Sequence, residues 1–436
     1  MKIRLIYPRF KKFLEDHPFL SLKLDKYIVG NYTMPPSLAL PIIASLTPDE
    51  FEVVLTDDNA FEKIDYNEKI DLVAISCFTP QAERAYEIAT EYRKRGTKVI
   101  IGGMHPSSIP DEAQKYADAV AVGEAELVWQ SVLKDLKNGT LKKRYTSNEK
   151  YSLADLPIPK REIFSRLKYR WNAHLVLTMR GCPVKCAACP IPIKEHSIFR
   201  FRPLDNIIDD ISSMPYREFY FIDDMIMLPG KRNRKFLYKL LERTATLDIS
   251  IFIPSTMRMM DLDYHLYKSM ATGNVSSIYT VFGFDETSIN LFSNTCTKSE
   301  WQRNIDIVRM IEDNGIHFYA SFGIGFDHHD KASLERMLDF SRKANIDLGE
   351  FFIATPFPGT PFGSECEKNN RILHRNYSKW NQAHVVFKPK NFTSEELMNE
   401  YFSLWERFYM NIDHNKTIRS FDLNNEWVGK KQVPTR

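Results

Sequence analysis

Short runs of aliphatic and β-branched residues recur along the chain, with amphipathic stretches of helical period between them. In the first third, apolar runs at 2–7, 51–55, 71–76, 98–102 and 119–122 predict five strands. The intervening stretches 36–46, 82–95, 111–116 and 127–136 predict helices. These strand runs are nearly continuous in apolar character, as strands buried on both faces require. Strand and helix in alternation predict an open, doubly wound parallel sheet. The alternation resumes after residue 173. Strands are predicted at 173–178, 218–222, 249–254, 277–282, 317–322 and 348–354, with helices at 203–213, 232–247, 263–271, 300–315 and 333–343. Six βα units predict a partial (β/α)6 barrel, whose chemistry would sit at the carboxyl ends of its strands. A last amphipathic helix, 392–410, carries an aromatic stripe of Phe402, Trp405, Phe408 and Tyr409. The stripe suits packing, or a cover for the barrel mouth.

The domain organisation expected from this pattern is a Rossmann-like domain over 1–145, a linker over 146–165, a barrel over 166–360 and a helical extension over 361–436. The chain has 436 residues, enough for two or three domains. Fifty-nine basic residues against fifty-six acidic ones leave a net charge of +3, which argues against a nucleic-acid partner. No apolar run reaches the ~20 residues of a membrane span. The first fourteen residues lack the layout of a signal peptide, so a cytoplasmic protein is expected.

Candidate chemistry lies at the predicted strand ends. Ser76-Cys-Phe-Thr79-Pro-Gln81, Gly102-Gly103-Met-His105-Pro106 and Gly123-Glu124-Ala-Glu126 follow three successive strands. Glycines there let backbone amides approach a ligand, so these turns mark a crevice, although tight turning alone would also explain them. Three of the six cysteines, Cys182, Cys186 and Cys189, fall within eight residues with the spacing C-x3-C-x2-C. Thiolates are soft ligands preferred by iron–sulfur clusters. Three ligands leave one iron of a four-iron cluster open, as a catalytic metal site needs. The alternative is a zinc knuckle completed by His174 or His196, but such sites usually pair one Cys-x-x-Cys with a second.

The sequence Thr178-Met-Arg180-Gly181-Cys182-x3-Cys186-x2-Cys189 is similar to the signature of radical S-adenosylmethionine (SAM) enzymes. The turns Gly102-Gly103-x-His105-Pro106 and Gly123-Glu124-x-Glu126 resemble those of the cobalamin-binding domain in the B12-dependent (class B) members. Together the resemblances cover about residues 1–410. They imply cobalamin held by Ser76, Thr79, Gln81, Gly102, Gly103, His105, Gly123 and Glu124. Gln81 also reads as a helix-start residue. The Asp-x-His-x-x-Gly motif that supplies a histidine to cobalt elsewhere is absent, so no histidine is expected below the metal. They imply a [4Fe-4S] cluster on Cys182, Cys186 and Cys189. SAM contacts are implied at Asp223, Asp224, Ser255, Arg258, Gly323 and Gly325. Gly283-Phe284-Asp285 and Thr355-Pro-Phe-Pro-Gly-Thr-Pro361 resemble further family segments. Lys194, Arg200 and Arg202 follow the cluster; we expect them to be solvated.

The activity implied is methylation of an unactivated sp3 carbon through the 5′-deoxyadenosyl radical, with methylcobalamin as methyl donor. The expected substrate is a protein side chain, such as glutamine in methyl-coenzyme M reductase, or else a lipid. The electron donor would be a protein such as ferredoxin or flavodoxin. Relatives that rearrange, cyclise, couple or dehydrate without methyl transfer supply the alternative.

Overall fold

Two six-stranded sheets, each wholly parallel, organise the chain. The computed structural model describes residues 1–11, 13–18, 37–60, 62–164, 174–191 and 198–410. Strands β1 (Lys2–Tyr7), β2 (Glu52–Asp57), β3 (Leu72–Ser76), β4 (Lys98–Gly102), β5 (Ala119–Val122) and β6 (Arg144–Thr146) form the first sheet, in the order β2-β1-β3-β4-β5-β6. The sixth strand is three residues long and has only one buried position, too little for the hydrophobic pattern to register. The order reverses between β1 and β3, and ligands of such sheets lodge outside the carboxyl ends near that reversal.

The second sheet follows chain order: β7 (His174–Val176), β10 (Glu218–Phe221), β11 (Ser250–Ser255), β12 (Val275–Phe282), β13 (His317–Ile324) and β14 (Leu348–Ile353). Among the described residues it does not close: β7 and β14 are its two edges. Its outward residues, among them Ile253, Phe282, Phe318 and Phe322, pack under the surrounding helices. Each such phenylalanine contributes about 1.5–3 kcal/mol by leaving water. Helices 298–313 and 331–344 begin at Thr297 and Asp330, whose side chains accept from the backbone amides of Glu300 and Ser333. These caps satisfy amides that the first helical turn leaves unpaired. A short antiparallel pair, β8 (Met179–Arg180) and β9 (Arg200–Phe201), brackets the cysteine segment.

The predicted helix 36–46 is observed as Ala39–Ser45 and has two working faces. Leu40 and Ile43 join the core beneath the first sheet. Leu38 and Ile42 pack instead with Leu175, Leu177, Tyr220 and Ile222 of the second sheet. A second tie comes from the segment after the barrel. Tyr377, Trp380 and Val386 are buried in the core of the first sheet's other face. The Tyr377 amide donates to Glu83 at 3.0 Å and its hydroxyl to Glu112 at 3.1 Å.

The last helix, Ser394–Tyr409, lies on the outer face of β14 and not over the barrel mouth. Trp405 and Phe408 pack on Phe351, and Tyr409 bonds both backbone groups of Gly349. Its aromatic stripe is thus core packing. Among the described residues no helix is long and apolar enough to cross a membrane.

Trp380 is fully buried and donates its indole N–H to the His374 carbonyl at 3.2 Å. Trp380→Ala is expected to cost about 3–5 kcal/mol, read as a lower urea midpoint. The first sheet would lose protection from hydrogen exchange before the second.

Candidate functional site

A cavity of about 290 Å³ opens at the carboxyl ends of β3, β4 and β5. Its depth is apolar, with Leu5, Leu40, Ile43, Ile100, Val128 and Trp129 on the walls. Its rim is polar: Ser76, Gly102, Gly103, Ser107, Gly123, Glu124, Glu126, Lys150 and Arg180. Gly103 is required on two counts. Its φ is +104°, and a Cβ there would stand 2.6 Å from the Cys77 carbonyl oxygen. The Ser107 hydroxyl donates to the Gly103 carbonyl at 2.6 Å and accepts from the Gly123 amide at 3.1 Å, joining two of the crevice turns. Ser76, Gly102, Gly103, Gly123 and Glu124 therefore meet around one cavity.

Thr79, Gln81 and His105 do not line it, which corrects the expectation for these three. Gln81 is fully buried; its side chain accepts from the Phe78 amide and donates to the Pro8 carbonyl. His105 lies between Thr79 and Tyr86, at 3.2 and 3.1 Å from their hydroxyl oxygens, with Glu112 and Tyr377 beyond. Spacing along the chain puts these residues near the crevice, but the backbone turns them into the core. Phe78, by contrast, lines the crevice with 43% of its surface exposed.

The cysteine segment stands over the carboxyl end of the second sheet. Charges on Asp224 and Asp285 act on Cys182, and those on Asp285 and Arg258 act on Cys186. Burial pushes the Cys182 thiol up to about 11 and the Cys189 thiol up to about 12; Cys186 is raised as well. Met179, Val184, Met225 and Leu228 surround the segment with apolar atoms. A thiolate in such surroundings needs a metal to carry its charge. Among the described residues, no three His, Cys, Asp or Glu side chains stand close enough to share a single ion. His174 starts β7, at the strand end away from the cysteines, and stacks on Tyr216. His196 and Lys194 lie outside the described residues.

Gly181 has φ +95°, and a Cβ there would overlap the Ile198 backbone carbonyl. Its amide donates to Asp224 at 2.7 Å. The neighbouring Asp223 accepts from the amides of Thr178 (2.7 Å) and Met179 (2.9 Å) and from the Thr178 hydroxyl. Burial pushes the Asp223 carboxyl up to about 7, against the pull of those three donors. Both aspartates thus hold the entry to the cysteine segment. For Asp223 the structure shows a supporting role: Oδ1 takes both amides and Oδ2 the Thr178 hydroxyl.

Ser255 ends β11 with a buried hydroxyl that has no partner among the described residues, as a ligand contact would. Arg258 is 45% exposed in its side chain and faces Glu286 at 3.7 Å. Gly323 and Gly325 are explained by protein packing. A Cβ at Gly323 would stand 2.6 Å from the Phe352 ring, and one at Gly325 2.6 Å from Leu397. Asp285 caps helix Glu286–Leu291 and accepts from the Thr256 hydroxyl at 2.5 Å. Arg200 and Arg202 are not solvated, contrary to expectation. Arg202 is 1% exposed and pairs with Asp210 at 2.6 Å, while Arg200 pairs with Glu124 at 2.8 Å.

Asp223→Ala would strand two buried amides, at about 1–3 kcal/mol each. The expected result is a lower urea midpoint, with Asp223→Asn intermediate because it keeps one acceptor oxygen.

The comparisons with known proteins agree with this geometry. Residues 30–133 match the family model of the B12 binding domain. Over 409 residues the chain is 28% identical to a bacteriochlorophyllide d C-12(1)-methyltransferase of Chlorobaculum tepidum, covering 91% of this chain and 87% of that one. It is 26% identical over 380 residues to the C-8(2)-methyltransferase of the same organism, covering 84% and 83%. Its fold is similar to that of TsrM, a radical S-adenosylmethionine methyltransferase from Kitasatospora setae. The TM-score is 0.61 at 15% identity, over 84% of this chain and 75% of that one. With a crevice of the B12-binding type joined to a three-cysteine half-barrel, the chain is similar, over most of its length, to cobalamin-dependent (class B) radical SAM methyltransferases.

Proposed function

We propose that this enzyme methylates an unactivated sp3 carbon, with cobalamin in the crevice, a [4Fe-4S] cluster on Cys182, Cys186 and Cys189, and SAM over the carboxyl end of the half-barrel. The observation that carries the reading is that Arg180, two residues before Cys182, lines the crevice of the other sheet. When bound, the cluster would supply an electron to SAM and the corrinoid a methyl group. The chain's own residues do the rest. The apolar depth of the crevice fits a flat aromatic group, and its rim of hydroxyl, amide and charged groups fits polar appendages. The cavity's volume takes only part of a corrinoid. Gly102, Gly103 and Gly123 leave the backbone free to approach it.

Ser255 offers a buried hydroxyl, and Arg258 a cation for a carboxylate. Within the barrel, Glu350 accepts from the hydroxyls of Tyr279, Ser321 and Tyr319 at 2.9, 2.8 and 2.7 Å. Leu177, Ile222 and the Leu38–Ile42 pair make the opposite wall apolar and exclude water from a reactive centre.

As to substrate, likeness to two bacteriochlorophyllide d methyltransferases over most of both chains favours an alkyl carbon on a large, apolar small molecule. A protein side chain and a lipid come after it. A one-electron reductant, a ferredoxin or flavodoxin, is part of the same proposal.

The test is anaerobic purification with iron, sulfide and hydroxocobalamin, followed by metal counts and incubation with methyl-labelled SAM. About four irons and one cobalt per chain, with label in a carbon-bound methyl group, are expected. Iron without cobalt, or 5′-deoxyadenosine without any methylated product, would overturn methyl transfer in favour of a rearranging or cyclising enzyme. Replacing Cys182, Cys186 or Cys189 by Ser is expected to abolish iron binding and SAM cleavage. Gly103→Val should lose hydroxocobalamin while 5′-deoxyadenosine still forms.

A further inference from the structure

The cysteine segment is the loop of a hairpin whose two strands, β8 and β9, place Arg180 and Arg200 directly opposite each other. Like charges at facing positions of a two-stranded ladder repel and would open the hairpin at its base. The counter-charge comes from the other sheet. Glu124, in the turn after β5, reaches Arg180 Nη1 at 2.8 Å and Arg200 at 2.8 and 3.1 Å. Glu126 pairs with Arg180 Nη2. All four groups are at least four-fifths buried, so solvent screens the pairs little.

Glu124 is itself held. Its carboxylate accepts from the Tyr151 amide at 2.8 Å, and Arg200 donates to the Tyr151 carbonyl at 2.6 Å. Burial alone would raise the Glu124 carboxyl; Arg200, the Tyr151 amide and Arg180 together hold it below the ordinary carboxylate range. Among the described residues, Glu124 and Glu126 thereby offset Arg180 and Arg200 in one cluster that joins the first sheet to the β8–β9 hairpin. Three of the four, Glu124, Glu126 and Arg180, also line the crevice.

We propose that this cluster is a clasp that couples the two sites: filling the crevice stabilises the closed hairpin and so the metal-binding form of the cysteine loop. The coupling runs both ways. An occupant of the crevice fixes the turn 123–126, and the fixed turn neutralises the arginine pair. A metal-loaded loop fixes the hairpin, and the fixed hairpin presents Arg180 and both carboxylates to the crevice. Each ligand then spares the other part of the ordering cost. Thermodynamic linkage requires the same factor in both directions. Arg180, Arg200, Glu124 and Glu126 act here as positioning residues. The proposal rests on the functional reading above, since it takes hydroxocobalamin and an iron–sulfur cluster as the two occupants.

The experiment measures hydroxocobalamin affinity of the full-length protein before and after anaerobic iron–sulfur reconstitution. A parallel assay measures iron loss to a chelator with and without hydroxocobalamin. In the wild type, reconstitution is expected to tighten hydroxocobalamin binding by about fivefold or more, and hydroxocobalamin to slow iron loss. In Glu124→Gln the ratio of the two affinities should fall to about one, whatever the absolute affinities become, and iron should be lost faster. Adding Arg200→Gln to that variant removes the repulsion and should restore iron retention while the ratio stays near one. A protein in which Glu124 served only stability would show neither the collapse of the ratio nor the rescue.

If Glu124→Gln does not fold, Glu126→Gln, which removes one carboxylate from Arg180, should lower the ratio. A wild-type ratio of one, or variants that keep the full ratio, overturns the clasp and leaves the functional reading intact. A wild-type protein that takes up neither hydroxocobalamin nor iron overturns the functional reading, and the clasp with it.

Discussion

The buried carboxylate of Asp223 is the constraint on which the site depends. A strand that ends in a parallel sheet leaves its next amides unpaired, and buried amides without partners are costly. At the end of β7 those amides belong to Thr178 and Met179, and Asp223, just past β10, takes both. Asp224 takes the next free amide, that of Gly181. Two adjacent acids on one strand end thereby set the path of the neighbouring strand's loop. Cys182 follows directly, so its position is inherited from hydrogen bonds that involve no metal. Rigid support of this kind is what a site needs if its ligands are to be presented before the metal arrives.

The relation of the two sheets follows from packing. Helix Ala39–Ser45 is seven residues long, yet its apolar side chains serve two cores. A helix that is apolar all round must be covered all round. Here one side is covered by the crevice floor and the other by the edge of the open half-barrel. The same helix therefore walls the crevice and covers the β7 edge of the second sheet. Separating the sheets would expose Leu38, Ile42, Leu175 and Leu177 together.

Much of this architecture is legible in the sequence because both sheets are parallel and covered on both faces. Their strands read as unbroken apolar runs, and the sequence positions of the helices between them are found to within a few residues. The cysteine spacing and the glycine turns are equally local signals. What escapes local reading is whatever depends on a distant partner. Arg200 reads as a solvated cation until Glu124, seventy-six residues earlier, is brought beside it. His105 reads as a crevice residue, but its ring is taken up by Thr79 and Tyr86. Gly325 resembles a ligand contact, but its missing side chain makes room for Leu397. Charge, spacing and glycine content indicate what a residue is able to do; the direction of its side chain is decided by the assembled core.

The return of the chain to its first sheet has a consequence for biosynthesis. Trp380 and Tyr377 fill a core whose other members, such as Ile6, Val73 and Tyr86, are made roughly 300 residues earlier. During translation the patch of that face beside helix Ala82–Lys94 must wait uncovered while the whole half-barrel emerges. The order of synthesis and the order of completion are therefore opposed: the domain made first is among the last to be finished. An uncovered apolar face on a nascent chain is a ready surface for chaperones or for aggregation. Cutting the gene at the apparent boundary between sheet and barrel would make that transient exposure permanent.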